Sequence, residues 1–395
     1  MIPFERRWAD YLDALKNADR YRAPAAVRPL DAVTIERAGR TLVNFSSNNY
    51  LGLTHHPAVI ERAEAWTRAW GAGAGASRLV TGTFEIHESV ERKLAALKQT
   101  EAALIFNSGY QANSAVLPAL LDADLLGAPP LVFADKLVHA SLHHGCRAAG
   151  VREIRFRHND LGHLESLLKK HRDRSGARFI LTESVFSMDG DRADLTALCD
   201  LAERFGAFLY VDEAHATGVL GPNGMGLSGA VPGRIDLVMG TFSKALGSFG
   251  AYVACSQRLK EVLVNKCGGL IYATALPPAV LGAMDAALDL VPSLDAERAR
   301  LQANAKTLRD TLRDHGIDTA GSTTQIVPAV LGTEKAALPP ANLLEDPGVL
   351  GIAIRPPTVP AGASRIRLAV TAAHTDKHLK TLCNSIPALA ALANR

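Results

Sequence analysis

Residues 208–215 read Phe208-Leu209-Tyr210-Val211-Asp212-Glu213-Ala214-His215: four apolar residues, then two carboxylates and a histidine. A short continuous apolar run is the pattern of a strand buried on both faces, the kind found in parallel sheets covered by helices. A helical pattern, Leu195–Phe205, precedes it. Further apolar runs recur on either side: Ala102–Phe106, Leu131–Ala134, Val151–Phe156, Phe179–Thr182, Leu237–Gly240 and Tyr252–Ala254, with helix-like stretches such as Leu161–Lys170 between them. Strands alternating with helices predict an α/β fold with a mostly parallel central sheet and helices on both faces. The last two runs are too close in sequence for a crossover helix, so one strand is expected to be antiparallel.

The flanks read differently. Residues 5–20 form an amphipathic helical pattern with Trp8, Tyr11, Leu12 and Leu15 on one stripe. A short strand over Thr41–Phe45, a helix over Pro57–Trp70, a flexible segment from Gly71 to Gly82 and a helix over Glu88–Lys98 follow. Beyond Pro277-Pro278 one long helical stretch, 279–315, leads to strands near 324–331, 350–354 and 365–370. The expected layout is an N-terminal segment (1–50) packing with the small domain, a large α/β domain (51–280) and a smaller α+β C-terminal domain (281–395).

The 395 residues are 48% hydrophobic and 21% charged, with 32 Gly and 20 Pro. That composition can bury a sizeable core and excludes collagen-like or disordered chains. A formal charge of +3 gives no reason to expect nucleic acid or an anionic membrane as partner. No apolar run approaches the roughly 18 residues of a membrane span. Glu5, Arg6, Arg7, Asp10 and Asp13 deny the start a signal-peptide core. Five dispersed cysteines without a C-x-x-C pair argue against structural zinc and a disulfide framework, and for reduced thiols in a cytoplasmic enzyme.

Chemistry gathers where the strands end. Asp212, directly after an apolar strand, lies at the edge of a parallel sheet where ligands bind, although an aspartate there can also cap a helix. In Gly240-Thr241-Phe242-Ser243-Lys244-Ala245-Leu246-Gly247 a lysine follows another strand, flanked by hydroxyls and glycines. Lysine forms Schiff bases with aldehydes, and Thr241 and Ser243 offer hydroxyls to a phosphate. A pyridine aldehyde such as pyridoxal 5'-phosphate (PLP) also needs a carboxylate to keep its ring nitrogen protonated, which Asp212 supplies. Ser108-Gly109-Tyr110-Gln111-Ala112-Asn113 opens a helix after Ala102–Phe106, a natural phosphate cradle. His139 follows Leu131–Ala134 at the same edge.

These segments resemble the α-oxoamine synthases among the fold-type-I PLP-dependent transferases. The resemblance spans nearly the whole chain: Asn44–Leu53, Ser77–Gly82, Val185–Asp191, Asp212–His215 and Thr241–Lys244. The string Ile354-Arg355-Pro356-Pro357-Thr358-Val359-Pro360 is similar to the biotin-pathway branch. Ala74, Ala76 and Ala251 depart from the family pattern by small-for-small changes. The resemblance implies that Lys244 binds PLP as an imine, Asp212 pairs with the pyridinium nitrogen and His139 stacks over the ring. It places Ser187 and His215 near the phenolic oxygen, Gly109 and Tyr110 on the cofactor, and Thr241 on the phosphate. Thr274 would reach the phosphate in a neighbouring subunit, so a homodimer with shared active sites is implied. Asn48, Arg22, Thr358 and Arg367 would face substrate, as His139 would. Arg365 and Arg367 share one strand face, and a guanidinium suits the amino-acid carboxylate; a solvated basic face describes Arg365 better than Arg367.

The implied reaction is the decarboxylative condensation of L-alanine with pimeloyl-CoA or a pimeloyl carrier protein. Relatives that pair another amino acid with another acyl thioester are the alternatives: aminoketobutyrate ligase, aminolevulinate synthase or serine palmitoyltransferase types. A scaffold that has lost catalysis would be expected to lack Lys244 or Asp212. A dinucleotide loop is disfavoured, because Gly71–Gly75 follows a helix and lacks the G-x-G-x-x-G spacing. His139, His143 and His144 lack a nearby acidic partner in sequence for a metal site.

Overall fold

The structure, a computed structural model, describes residues 3–393. The chain forms two compact units: one comprises 48–187 with 192–299, the other the residues up to 47 with 188–191 and 300 onward. The boundaries expected at 50/51 and 280/281 therefore fall at 47/48 and 299/300. The second shift has a packing cause. Helix Pro278–Leu290 lies against helix Pro57–Trp70, where Val59 and Ala63 meet Ala283, Ala286 and Leu290. A Cβ at Gly282 would come within 2.5 Å of the Arg62 carbonyl oxygen, so only glycine permits this approach. Buried Asp285 on the same helix pairs with Arg62 and Lys93. The helix thus belongs to the large unit.

In spatial order the large unit's seven strands are Ala102–Phe106, Ala251–Cys255, Leu237–Thr241, Ala207–Asp212, Arg178–Glu183, Leu131–Asp135 and Ile154–Phe156. All are parallel except Ala251–Cys255, which runs antiparallel to both neighbours, as its short connection requires. Every residue of the strands at 102–106, 131–135, 237–241 and 251–255 is buried, which explains their unbroken apolar reading. Helices at 109–120, 140–148, 161–170 and 195–205 bury Val116, Leu142, Leu164 and Leu198 in the same core.

The other unit holds an antiparallel sheet, Ile326–Gly332, Ser364–Ala369 and Ile352–Ile354. A second sheet orders Arg28–Pro29, Thr34–Arg37, Arg40–Asn44 and Val349–Leu350. The N-terminal helix covers Pro3–Asn17 and leaves Trp8, Tyr11 and Leu12 exposed. The helical stretch expected over 279–315 is interrupted. Pro292 lies in a short turn, Val291–Ser293, between Pro278–Leu290 and Asp295–Asp314, as its missing N–H and fixed φ favour. Two helices escaped the sequence reading, Glu334–Glu345 and Asp376–Ala393, because Pro339, Pro340 and Pro387 mask their pattern. Arg365 is not on a solvated face: it is buried and paired with Asp189 of the same unit.

Where strand Arg40–Asn44 ends, Phe45 stacks on His374 with ring centroids 3.9 Å apart, and its carbonyl accepts from Ala369 N. His374 Nδ1 accepts from Thr371 N at 3.0 Å. Burial holds this imidazole down to about 3, helped by His378. Its folded value lies below its unfolded one, so the unfolded chain takes the proton first. Stability is complete above about pH 6.5 and falls toward pH 3 by ~1.4 kcal/mol per unit. Urea titrations are expected to show roughly 2 kcal/mol lost between pH 6.5 and 5, and a flatter acid limb in His374→Asn. Equal slopes in both proteins would exclude His374 as the source.

Candidate active site

Six parallel strands deliver their carboxyl ends to one edge of the large sheet, where open α/β folds bind ligands. At that edge a cavity of about 250 Å³ is lined by residues from five segments. Ser108, Gly109, Tyr110 and Asn113 come from the start of helix Gly109–Leu120, His139 and Ser141 from the start of helix Ala140–Ala148. Glu183 ends one strand, Asp212 ends another and leads into Ala214 and His215. Met239, Thr241, Ser243 and Lys244 complete the wall. The structure therefore brings together Ser108, Gly109, Tyr110, His139, Asp212, His215, Thr241 and Lys244, which are scattered over 137 positions in sequence.

Local geometry explains each placement. Ser108 caps helix Gly109–Leu120 by accepting from Gln111 N at 3.1 Å, so the helix starts at the cavity wall. The first N–H groups of any helix lack intrahelical acceptors and favour an anion. A Cβ at position 109 would lie 2.8 Å from Thr241 Cγ2, so glycine lets the helix start approach the neighbouring strand end. Lys244 lies in the loop between strands Leu237–Thr241 and Ala251–Cys255, which closes through Phe242 N to Gly250 O and Gly247 N to Lys244 O. Asp212 Oδ1 accepts from Ala214 N and Oδ2 from Asn113 Nδ2, both at 2.9 Å. His215 Nδ1 lies 2.7 Å from the Tyr50 hydroxyl, which is 2.9 Å from Asn48 Oδ1.

Glu183 was missed from sequence. It occupies the same strand-end position as Asp212, and the two are register partners on adjacent strands. Its Oε1 accepts from His139 N at 2.5 Å. Burial and the Asp212 charge push this carboxyl well above its usual range, while Lys244 and the His139 N–H pull the other way. His139 lies below its usual value because the protein packed around it disfavours charge; Asp212 opposes that effect, and Lys244 and His143 reinforce it. His143 and His144 have partners of their own, Glu153 and Tyr110. The acidic neighbour that spacing did not reveal is thus Glu153.

Behind the cavity lies a second buried carboxylate. Glu213 turns the opposite way from Asp212 and binds Lys98 Nζ at 2.7 Å, Ser228 Oγ at 2.6 Å and Ser228 N at 2.9 Å. Lys98 also donates to Met225 O and Ser228 Oγ. Burial opposes the Lys98 charge, but Glu213 and Tyr252 more than offset it and hold the ammonium above its usual value. This cluster anchors the segment following Asp212.

Other expected residues lie elsewhere. Ser187, Asn48 and Thr274 are not in the cavity lining. The chain turns aside at Val185, which bridges to Arg192, before Ser187 is reached. Asn48 is one hydrogen bond behind His215, through Tyr50. Thr274 bridges Ser77 and accepts from Asn107 Nδ2 through its carbonyl. In the other unit Arg22 Nη2 donates to Thr358 Oγ1 at 3.2 Å, while Arg20 pairs with Glu334. Arg367 is buried on strand Ser364–Ala369, opposite Pro328 and Ile352.

The cavity's donor set suits PLP. It offers a helix start and hydroxyls for a phosphate, an amine for an aldehyde, and a buried carboxylate for a pyridinium nitrogen. Comparison with known proteins agrees. Residues 40–386 match the family described as aminotransferase class I and II. An 8-amino-7-oxononanoate synthase of Gluconacetobacter diazotrophicus is 58% identical over 378 residues, covering 94% of this chain and 95% of that protein. One of Geobacter sulfurreducens is 46% identical over 379 residues, with 95% of each covered. Serine palmitoyltransferase from S. paucimobilis, solved with PLP and myriocin bound, superposes with a TM-score of 0.91 at 29% identity and covers 98% of each chain.

The ion pair behind Asp212 is open to test. Lys98→Met leaves Glu213 buried and uncompensated, which typically costs ~3–5 kcal/mol. Lys98→Met combined with Glu213→Gln should recover much of that loss. Denaturant titrations of the two variants beside the wild type check this, and a single-variant cost below about 1 kcal/mol would refute the buried pair.

Proposed function

The chain belongs to the aminotransferase class I and II family, in its α-oxoamine synthase branch, and from that premise we propose that it condenses L-alanine with a pimeloyl thioester. The products are 8-amino-7-oxononanoate, CO₂ and the free thiol carrier, as in biotin biosynthesis. One observation carries this reading: Lys244, Asp212 and His139 converge on one cavity in a chain aligned along almost its whole length with 8-amino-7-oxononanoate synthases. The superposition with serine palmitoyltransferase makes serine with a long-chain acyl thioester the competing pair.

PLP is the cofactor, and when bound it supplies an electron sink at the α-carbon of the amino acid. Lys244 Nζ would be its covalent anchor. The same amine, when free, would take the α-proton of alanine and later return one to the product. Asp212, steadied by Asn113 and Ala214 N, would keep the pyridine nitrogen protonated. The helix start at Ser108–Tyr110 and the Thr241 and Ser243 hydroxyls would hold the phosphate. His215, and by family resemblance Ser187, serve the phenolic oxygen. His139 donates a hydrogen bond to the substrate. The new bond joins the alanine α-carbon to the thioester carbonyl carbon as the C–S bond breaks; the original carboxylate then leaves as CO₂. Asn48, Arg22, Thr358 and Arg367 keep their assignment to substrate.

The functional unit is a homodimer in which Thr274 serves the partner's phosphate site. Supporting this, exposed Leu79 and Val80 follow Ser77, the bridge partner of Thr274, and Tyr272 two residues away is 85% exposed. The compartment is the cytoplasm. No described helix is long and apolar enough to cross a membrane, and the five cysteines are unpaired, four of them buried.

Thiol release from pimeloyl-CoA is expected with alanine and far less with glycine or serine. Turnover with serine and palmitoyl-CoA but not with alanine would transfer the assignment to the competing pair. Lys244→Ala should abolish turnover and the borohydride-sensitive visible absorbance. Sedimentation should show two chains, and Val80→Asp with Tyr272→Asp should give a monomer that binds PLP more weakly.

A further inference from the structure

His139 is the N-cap of helix Ala140–Ala148, and its Nδ1 accepts from Ser141 N at 3.3 Å. A backbone N–H only donates, so Nδ1 carries a lone pair at this contact. Ser141 Oγ is also 2.7 Å from Nδ1. The direction of that bond follows from the groups behind it. Asn113 Nδ2 lies 2.9 Å from Asp212 Oδ2 and 2.9 Å from Ser141 Oγ, while Asn113 Oδ1 accepts from the Tyr210 hydroxyl at 2.7 Å. An ionised carboxylate only accepts, so the amide must face it with its nitrogen. That nitrogen also donates to Ser141 Oγ, leaving the serine hydrogen for Nδ1. Tyr210, Asn113 and Ser141 are fully buried, so water does not compete for these bonds. The bonds from Tyr210 to Asn113, from Asn113 to Ser141 and from Ser141 to His139 thus all run one way.

We propose that Ser141 is a positioning residue that locks His139 as the neutral tautomer with its proton on Nε2, making this histidine a hydrogen-bond donor in the reaction and not a base. Nδ1 could take a proton only by losing the Ser141 N–H bond and turning the serine hydroxyl round. Among the groups around the ring, Asp212 favours the imidazolium, whereas Lys244 and His143 disfavour it. Glu183 accepts the His139 backbone N–H, its own carboxyl pushed up by burial and by Asp212, and Tyr110 meets the ring edge-on at 6.4 Å. Nε2 is then the ring's single proton donor, suited to the oxygen of the thioester carbonyl or the alanine carboxylate. Proton abstraction is left to Lys244. The use of that donor rests on the proposed condensation; the tautomer does not.

Long-range ¹H–¹⁵N correlation spectra of histidine-labelled protein, with and without PLP, read the tautomer without substrate. His139→Gln assigns the signals. The expected result is a protonated Nε2 and an unprotonated Nδ1 between pH 6 and 8. Ser141→Ala should bring up the Nδ1–H tautomer and raise the His139 titration midpoint. It should also lower kcat several-fold with PLP absorbance retained, and Ser141→Thr should restore all three. A wild-type proton on Nδ1, or a Ser141→Ala protein with unchanged tautomer and titration, would overturn the proposal. A different acyl or amino-acid preference with the Nε2–H tautomer intact would overturn only the substrate assignment.

Discussion

Two adjacent carboxylates at the end of one parallel strand face opposite ways, and the large unit is organised around that alternation. Successive strand side chains point to opposite faces. Asp212 therefore turns to the cavity, where Asn113 and Ala214 N steady it, while Glu213 turns into the protein and closes on Lys98 and Ser228. A free buried carboxylate would cost several kcal/mol, so Glu213 and Lys98 must stay together. That requirement fixes the segment after the strand, and with it the orientation of Asp212 and the position of His215.

The site also depends on the sheet's one reversed strand. Six parallel strands bring helix starts and strand-end acids to a common edge, but a crossover helix after each would carry the chain away. Between Leu237–Thr241 and Ala251–Cys255 the chain instead turns back within nine residues, and Lys244 lies in that turn. The amine is thereby held at the edge where Asp212 and His139 already meet. A cofactor of modest size can then be gripped at its aldehyde, ring nitrogen and phosphate by three different elements of one rigid sheet.

The strands of the large unit were legible because burial on both faces writes an unbroken apolar run into the sequence. Asp212 was legible because it directly follows such a run, and Lys244 and His139 because they lie within five residues of the end of one. Glu183 satisfies the same criterion, yet its importance emerges only from its register with Asp212 and its bond to the His139 backbone. Asn113 and Ser141 lay inside stretches already singled out, but no spacing rule links positions 113, 141 and 212. The helices at 334–345 and 376–393 were hidden by internal prolines. The buried state of Arg365 was hidden because its partner Asp189 is 176 residues away.

Local chemistry was therefore determined by sequence alone: which residues form strands, which polar groups follow them, and that an amine and a carboxylate suited to a pyridine aldehyde occur in such places. Tertiary structure alone decided which groups meet, which carboxyl burial pushes up, and which nitrogen of His139 faces the Ser141 donors. The reason is physical. Strand and helix periodicity are local properties of a few consecutive residues. Protonation and hydrogen-bond direction are set by burial and by neighbours within about 3 Å, and folding draws those neighbours from distant parts of the chain.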